Sequence, residues 1–181
     1  MICYEASKFN FNKLIKSKYH KNYNIILNNI ALGSKENKLE FFQTSESSSS
    51  TFCKIDQNSN YFKRKKNILN FFHRKEYILQ SELIEIKTLK NEFSKYDLKY
   101  IDILKIDTEG FEFDVIKGAD QSLKFVNFIL FEHHYDQMII KNYKFSEINE
   151  YLTKLNFKKI RKFKMPLRKT FEYIYINENL K

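Results

Sequence analysis

The sequence predicts an α/β fold in which a mostly parallel, doubly wound sheet ends in an antiparallel hairpin. Three observations carry that prediction. Residues 101–106 (IDILKI) form a short apolar run of the kind found in strands covered on both faces. Segments with strand character alternate along the chain with segments of helical period. The last two strands, 157–163 and 171–176, flank the one proline, Pro166, and read as antiparallel neighbours. At 181 residues the chain suits a single domain spanning 1–181, long enough to bury roughly two thirds of its unfolded surface.

The elements follow in order. A strand at 2–5 opens the chain, and Ser7 is a suitable N-cap for a helix to about Tyr19 with Phe11, Leu14 and Ile15 facing inward. Strands follow at 25–29, 38–43 and 77–88, the last containing the alternating IEIKTL. Between the latter two lies an irregular insertion, about 44–76, with the serine-rich 45–52 and the basic FKRKKN at 62–67. It reads either as a substrate loop or as a surface loop without a role. A helix at 89–96 leads into the 101–106 strand. Thr108-Glu109-Gly110 turns the chain, and 111–117 is helical, with Gly118 as its stop signal. A strand at 128–134 and a helix at 145–155, apolar at Phe145, Ile148, Leu152 and Leu155, precede the final pair.

Hydrophobic content of 43% with 17% aromatic excludes a disordered protein. The charge of +10 rests mainly on Lys, in a composition rich in Asn, Ile, Phe and Tyr and poor in Ala, Gly, Pro and Trp. That skew is the mark of AT-rich coding, so the surplus charge is read as solvated surface and nucleic acid is not an expected partner. A basic nucleic-acid module built on 62–67 would instead show strongly salt-dependent affinity. The two cysteines, Cys3 and Cys53, have neither metal-ligand spacing nor a disulfide framework, and no signal peptide is visible. No apolar run approaches the roughly 20 residues of a membrane span. The expected setting is cytoplasmic.

In open α/β sheets, ligands bind beyond the carboxyl ends of the strands. The 101–106 strand delivers Asp107, Glu109 and Glu112 to that place. The competing reading is that acidic residues there complement the dipole of the following helix; the residues alone leave both open.

The stretch KIDTEGFE at 105–112, followed by a helix and Gly118-Ala119, resembles the FkbM-type S-adenosylmethionine-dependent methyltransferases. CYEAS at 3–7 is similar to that family's second strand, which ends in glutamate. NIILNNIALGS at 24–34 is similar to its third strand and N-x-A-L turn, and FILFEHH at 128–134 to its fifth. The resemblance implies a Rossmann-like class I methyltransferase sheet, S-adenosylmethionine as cofactor, and O-methylation of a small-molecule or glycan acceptor (a sugar, glycolipid or secondary-metabolite hydroxyl). It implies Glu5 as the ribose ligand, with Asn29 and Ala31 near the adenine. Asp107 is implied near both the sulfonium and the acceptor. The candidates for proton transfer or acceptor contact are Asp107, Glu109, Glu132 and His133, with His134 beside them. Adjacent strand residues point to opposite faces, so only one of the two histidines enters a pocket while the strand continues. Asp107, Glu132 and a histidine could chemically bind a metal, but nothing in their spacing demands one and none is expected.

The family begins with a strand and a glycine-rich turn that wrap the cofactor's amino-acid end. This chain starts almost on the Glu5 strand, and its three glycines, Gly33, Gly110 and Gly118, form no G-x-G. The expectation is a domain lacking its first strand, either a fragment or a non-catalytic remnant that serves as an interaction module. A gap is expected between the Glu5 and Ile101 strands unless those two pair directly.

Overall fold

In the computed structural model, which describes residues 1–44, 49–73, 78–166 and 168–180, strands and helices follow one another largely as the pattern predicts. Strand β1 (Ile2–Tyr4) runs parallel to β2 (Ile26–Asn28), with Cys3 opposite Leu27. Between them, α1 (Lys8–Lys16) begins at Ser7, whose hydroxyl accepts the Asn10 amide. The helix stops at Ser17, and α2 (Lys18–Asn22) follows as a separate element. The inward face expected of α1 is not buried: Leu14 and Ile15 are 39% and 40% exposed. The principal neighbours of α1 are α2 and β2 rather than the main sheet, so no broad apolar surface lies against it.

Strand β3 (Ala31–Leu32) runs parallel to β6 (Ile78–Lys87), which pairs antiparallel with β4 (Asn37–Thr44). Ala31, Phe41, Ile84 and Ile86 form a small core there. The insertion is more ordered than its composition suggests. It holds β5 (Lys54–Ile55) and α3 (Asn60–His73), so the basic run is helical. Two features explain this. The Ser59 hydroxyl accepts the Phe62 amide at the helix start, and Phe62 is buried with Met138 and Ile139. Residues 45–48 and 74–77, part of the expected insertion and the expected start of the next strand, lie outside the described residues.

Helix α4 (Leu89–Lys95), capped by Thr88, leads to β7 (Ile101–Ile106). Then come α5 (Glu112–Ala119), β8 (Val126–His134), β9 (Ile139–Ile140) and α6 (Phe145–Lys154). The chain closes on the hairpin of β10 (Phe157–Lys164) and β11 (Thr170–Asn177). The main sheet has the order β10-β11-β8-β7, with β7 and β8 parallel and the other pairs antiparallel. The short β5 and β9 pair antiparallel.

The molecule is therefore α/β with a C-terminal antiparallel hairpin, as predicted, but the single mostly parallel Rossmann-like sheet is not what forms. Among the described residues the strands fall into four sheets of mixed direction. One of the breaks falls between β1 and β7. In these ladders β1 pairs only with β2 and β7 only with β8, so no hydrogen-bonded ladder joins the halves, nor do β1 and β7 pair directly. Side chains link them to α4 and its C-terminal end instead: the Tyr4 hydroxyl donates to Glu92 (3.1 Å), and the Tyr96 hydroxyl donates to Asn28 (2.9 Å).

The main core gathers Leu89 from α4, Val115 and Ile116 from α5, and Ile148 and Leu152 from α6. They pack against Ile106, Ile129, Phe131, Tyr173 and Tyr175 of the sheet. The β7 run was expected to be covered on both faces, yet Ile103 is 59% exposed. Its side chain lies on the other sheet face, in register with Phe128 and through it Ile176. Gly118 falls inside α5 and does not terminate it; a Cβ there would lie 1.9 Å from the Gly33 carbonyl oxygen. Among the described residues no helix is long and apolar enough to cross a membrane.

Candidate active site

At the carboxyl ends of β1, β7 and β8, Glu5 and Glu132 each lie within electrostatic reach of Asp107, and Glu109 within reach of both Asp107 and His134. Asp107 follows the last residue of β7, is half exposed and lies 3.8 Å from Lys105. Beyond it the backbone enters the left-handed region twice in succession, at Glu109 (φ +50°) and Gly110 (φ +101°). Only glycine adopts such angles at no steric cost, so Glu109 is held there by its surroundings. This bend turns the Glu109 carboxylate inward, where Oε2 lies 3.3 Å from His134 Nε2. The contact is a charge contact and not an aligned hydrogen bond. His134 Nδ1 lies 3.0 Å from the Thr170 hydroxyl and 3.5 Å from Asp136.

Burial sets the electrostatics. It pushes the Glu109 carboxyl up to about 7, against the lowering effect of His134. It pulls the His134 imidazole down, but hydrogen bonding to Asp136 and the charges of Glu109 and Glu112 outweigh it and leave that pKa above 6.5. A carboxyl held near neutrality thus lies beside an imidazole whose pKa is raised, an environment of the kind general acid–base chemistry uses. Burial and then the neighbouring Asp107 raise Glu132. Burial also raises Glu5, even though its Oε1 accepts the Ser7 amide at 2.8 Å.

Strand alternation separates the two histidines as expected. His133 projects to the covered face among Tyr135, Tyr143 and Phe145, and burial, followed by Lys141 and His134, pushes its pKa down to about 3. It is a neutral ring in an aromatic nest, and His134 is the histidine facing Glu109. Asn29 uses its amide nitrogen on the Glu5 and Ala6 carbonyls, bracing the end of β1. Ala31 is packed into the small core with Ile86. Glu112, which the motif places one turn beyond, is fully buried. It accepts hydrogen bonds from the Gly110 amide (2.8 Å), the Thr108 hydroxyl (3.1 Å) and the Tyr143 hydroxyl (2.5 Å).

Several contributors were not singled out by sequence. The Thr51 hydroxyl donates to the Glu109 carbonyl at 2.6 Å and the Cys53 thiol to the Gly110 carbonyl at 3.2 Å. Lys141 donates to the His134 carbonyl. Asp136, buried beside His134, accepts the Met138 amide. All four sit in irregular segments or next to very short strands, where periodicity carries no signal.

The carboxylates of Glu5, Asp107 and Glu132 suit the hydroxyls and the positive charge of an adenosyl sulfonium. The glycines do not offer a cradle for its amino-acid end: Gly33 is packed under Ile86 and Phe111, and Gly118 against Gly33. No curated protein and no solved structure matches the chain. A family model described as the methyltransferase FkbM domain matches residues 4–159, most of the sequence. The chain therefore belongs to the FkbM methyltransferase family.

Proposed function

We propose that this protein transfers the methyl group of S-adenosylmethionine to a hydroxyl oxygen of a small-molecule or glycan acceptor, a sugar, glycolipid or secondary metabolite. The observation that carries the reading is the convergence of Glu5, Asp107 and Glu132 at the strand ends, with the buried Glu109–His134 pair directly behind them. In this reading Glu5 takes the ribose hydroxyls, as an acidic residue does in dinucleotide sites, and Asn29 holds the end of β1 beneath it. Asp107 faces the sulfonium and the acceptor, and Glu132 adds a second carboxylate. S-adenosylmethionine held there would supply an electrophilic methyl group to the acceptor oxygen. The hydroxyl proton leaves toward the Glu109–His134 pair. The work of the chain is to orient two reactants and accept one proton. A cytoplasmic setting belongs to this reading, and the free thiols Cys3 and Cys53 accord with it.

One observation favours a second reading, a non-catalytic interaction module of the same fold. All three glycines are used in packing or in the Glu109 turn, and none lines a cofactor loop. Titration calorimetry with S-adenosylmethionine separates the two. The enzyme reading expects binding, weakened about tenfold or more by Glu5→Ala and by Asp107→Ala, the value of one hydrogen bond to a charged group. Absent binding, or binding indifferent to both substitutions, overturns it in favour of the module.

A further inference from the structure

The Glu109 turn does not hold itself. Two consecutive left-handed residues, the first carrying a side chain, cost on the order of 1–2 kcal/mol for the non-glycine position alone. Such a conformation persists only where its surroundings over-determine it. Each polar backbone group bonded at this bend is met from outside the turn or from the helix beyond it. Thr51 donates to the Glu109 carbonyl (2.6 Å) and Cys53 to the Gly110 carbonyl (3.2 Å), both from the insertion. Glu112 accepts the Gly110 amide (2.8 Å) with one carboxylate oxygen, and its other oxygen accepts the Tyr143 hydroxyl (2.5 Å). Tyr143 is itself fixed by ring contacts with Phe113 and His133.

The two sides also connect to each other. Ile55 pairs with Ile139, and Ile139 is the wall nearest Gly110, where a Cβ would meet its Cγ2 at 2.6 Å. The insertion therefore reaches the turn twice, through the two donors and through the β5–β9 ladder.

We propose that Thr51, Cys53, Glu112 and Tyr143 form a two-sided clamp whose task is to position Glu109 against His134. They are positioning residues, and the insertion is part of the proton-transfer apparatus, not a bystander loop. This deepens the methyl-transfer reading and rests on it for the meaning of Glu109, but its geometric content is independent of cofactor and acceptor.

The titration of His134 is the reporter. The groups facing it are Glu109 from the turn, Glu132 from β8 itself, Asp136 and Lys141 from the segment after β8, Glu112 from α5, Thr170 from β11 and its neighbour His133. Neither Tyr143→Phe nor Thr51→Val changes a charge. In a uniformly 15N-labelled chain the four histidines are followed through a pH titration by two-dimensional NMR. The clamp predicts that both variants move the His134 midpoint down toward the ordinary imidazole value of about 6.5, as Glu109 swings away. Thr51→Ser, which keeps the hydroxyl, should restore the original midpoint. If His134 titrates in Tyr143→Phe and Thr51→Val as it does in the parent chain, the clamp is refuted. A failure of methyl transfer leaves this result standing, and an unmoved titration leaves cofactor binding untouched, so the two readings fail separately.

Discussion

Replacing Gly118 by alanine weighs helix propensity against packing. In an exposed helix interior the change stabilises by about 1 kcal/mol, because alanine surrenders less backbone entropy. At this position the new Cβ would lie 1.9 Å from the Gly33 carbonyl oxygen and 2.8 Å from its carbon, both backbone atoms that cannot rotate away. α5 must then retreat from the turn that follows β3. That retreat stretches the bond from the Ser34 hydroxyl to Asp114 (2.9 Å), whose net value is about 1 kcal/mol. Overpacking of this kind costs typically 1–3 kcal/mol, and the contact here is at the severe end. The clash wins, for a net loss of about 2–3 kcal/mol. At roughly 2–4 °C per kcal/mol for a chain of this size, thermal denaturation should fall by roughly 4–12 °C. Gly33→Ala should cost less, since its added carbon meets the side chains of Ile86 (2.8 Å) and Phe111 (2.9 Å). A Gly118→Ala protein that melts at or above the parent temperature would refute the argument, for it would mean that α5 is not pressed onto Gly33.

Two further predictions concern the core beneath the site. His133 has its pKa depressed from 6.5 to about 3, so the unfolded chain binds the additional proton between those values and stability is lost as pH falls through that window. His133→Phe removes that linkage; its stability relative to the parent should rise by about a few kcal/mol between pH 6.5 and 3, and parallel denaturation curves across that range would contradict it. Leu152→Ala empties a fully buried position and should lower stability by about 2–5 kcal/mol, read as a reduced urea midpoint with unchanged slope.

Local signals were legible where one residue type does one physical job. Ser7 caps α1 because its hydroxyl can reach the Asn10 amide, and Ile148 and Leu152 fall one turn apart on the buried face of α6. The KIDTEGFE stretch located the strand end and its carboxylates for the same reason. Non-local facts were not legible. Helix α3 hid in a charge run because its burial contacts, Phe62 with Met138 and Ile139, join residues more than seventy positions apart; Ser59, three residues before Phe62, is the local cue that could have marked its start. Alternation showed that His133 and His134 must part. Which of them faces the acids depended on Phe131 and Tyr173 filling the covered side, and so on how β8 pairs with β11. Thr51 and Cys53 gave no warning, because a hydroxyl and a thiol that cap carbonyls fifty-odd positions away leave no periodic trace.

The structure treats two carboxylates two residues apart in opposite ways. Asp107 ends β7 with its side chain 46% exposed beside Lys105. Its strand has a neighbouring strand on one side only, among the described residues. Glu109 is turned through a left-handed bend into a buried position beside His134, with Thr51 of the insertion on its carbonyl, and burial drives its pKa to about 7. Enzymes that use two acids in one reaction commonly separate their roles by environment and not by residue type. The division fits methyl transfer, where one group must face a cation in the open crevice while another exchanges a proton near neutrality. It also explains why the insertion and the motif belong to one device. Without Thr51 and Cys53 on its carbonyls, the turn keeps only the Glu112–Tyr143 side of the proposed clamp, and Glu109 is then expected to loosen from His134 toward the solvent that Asp107 already meets.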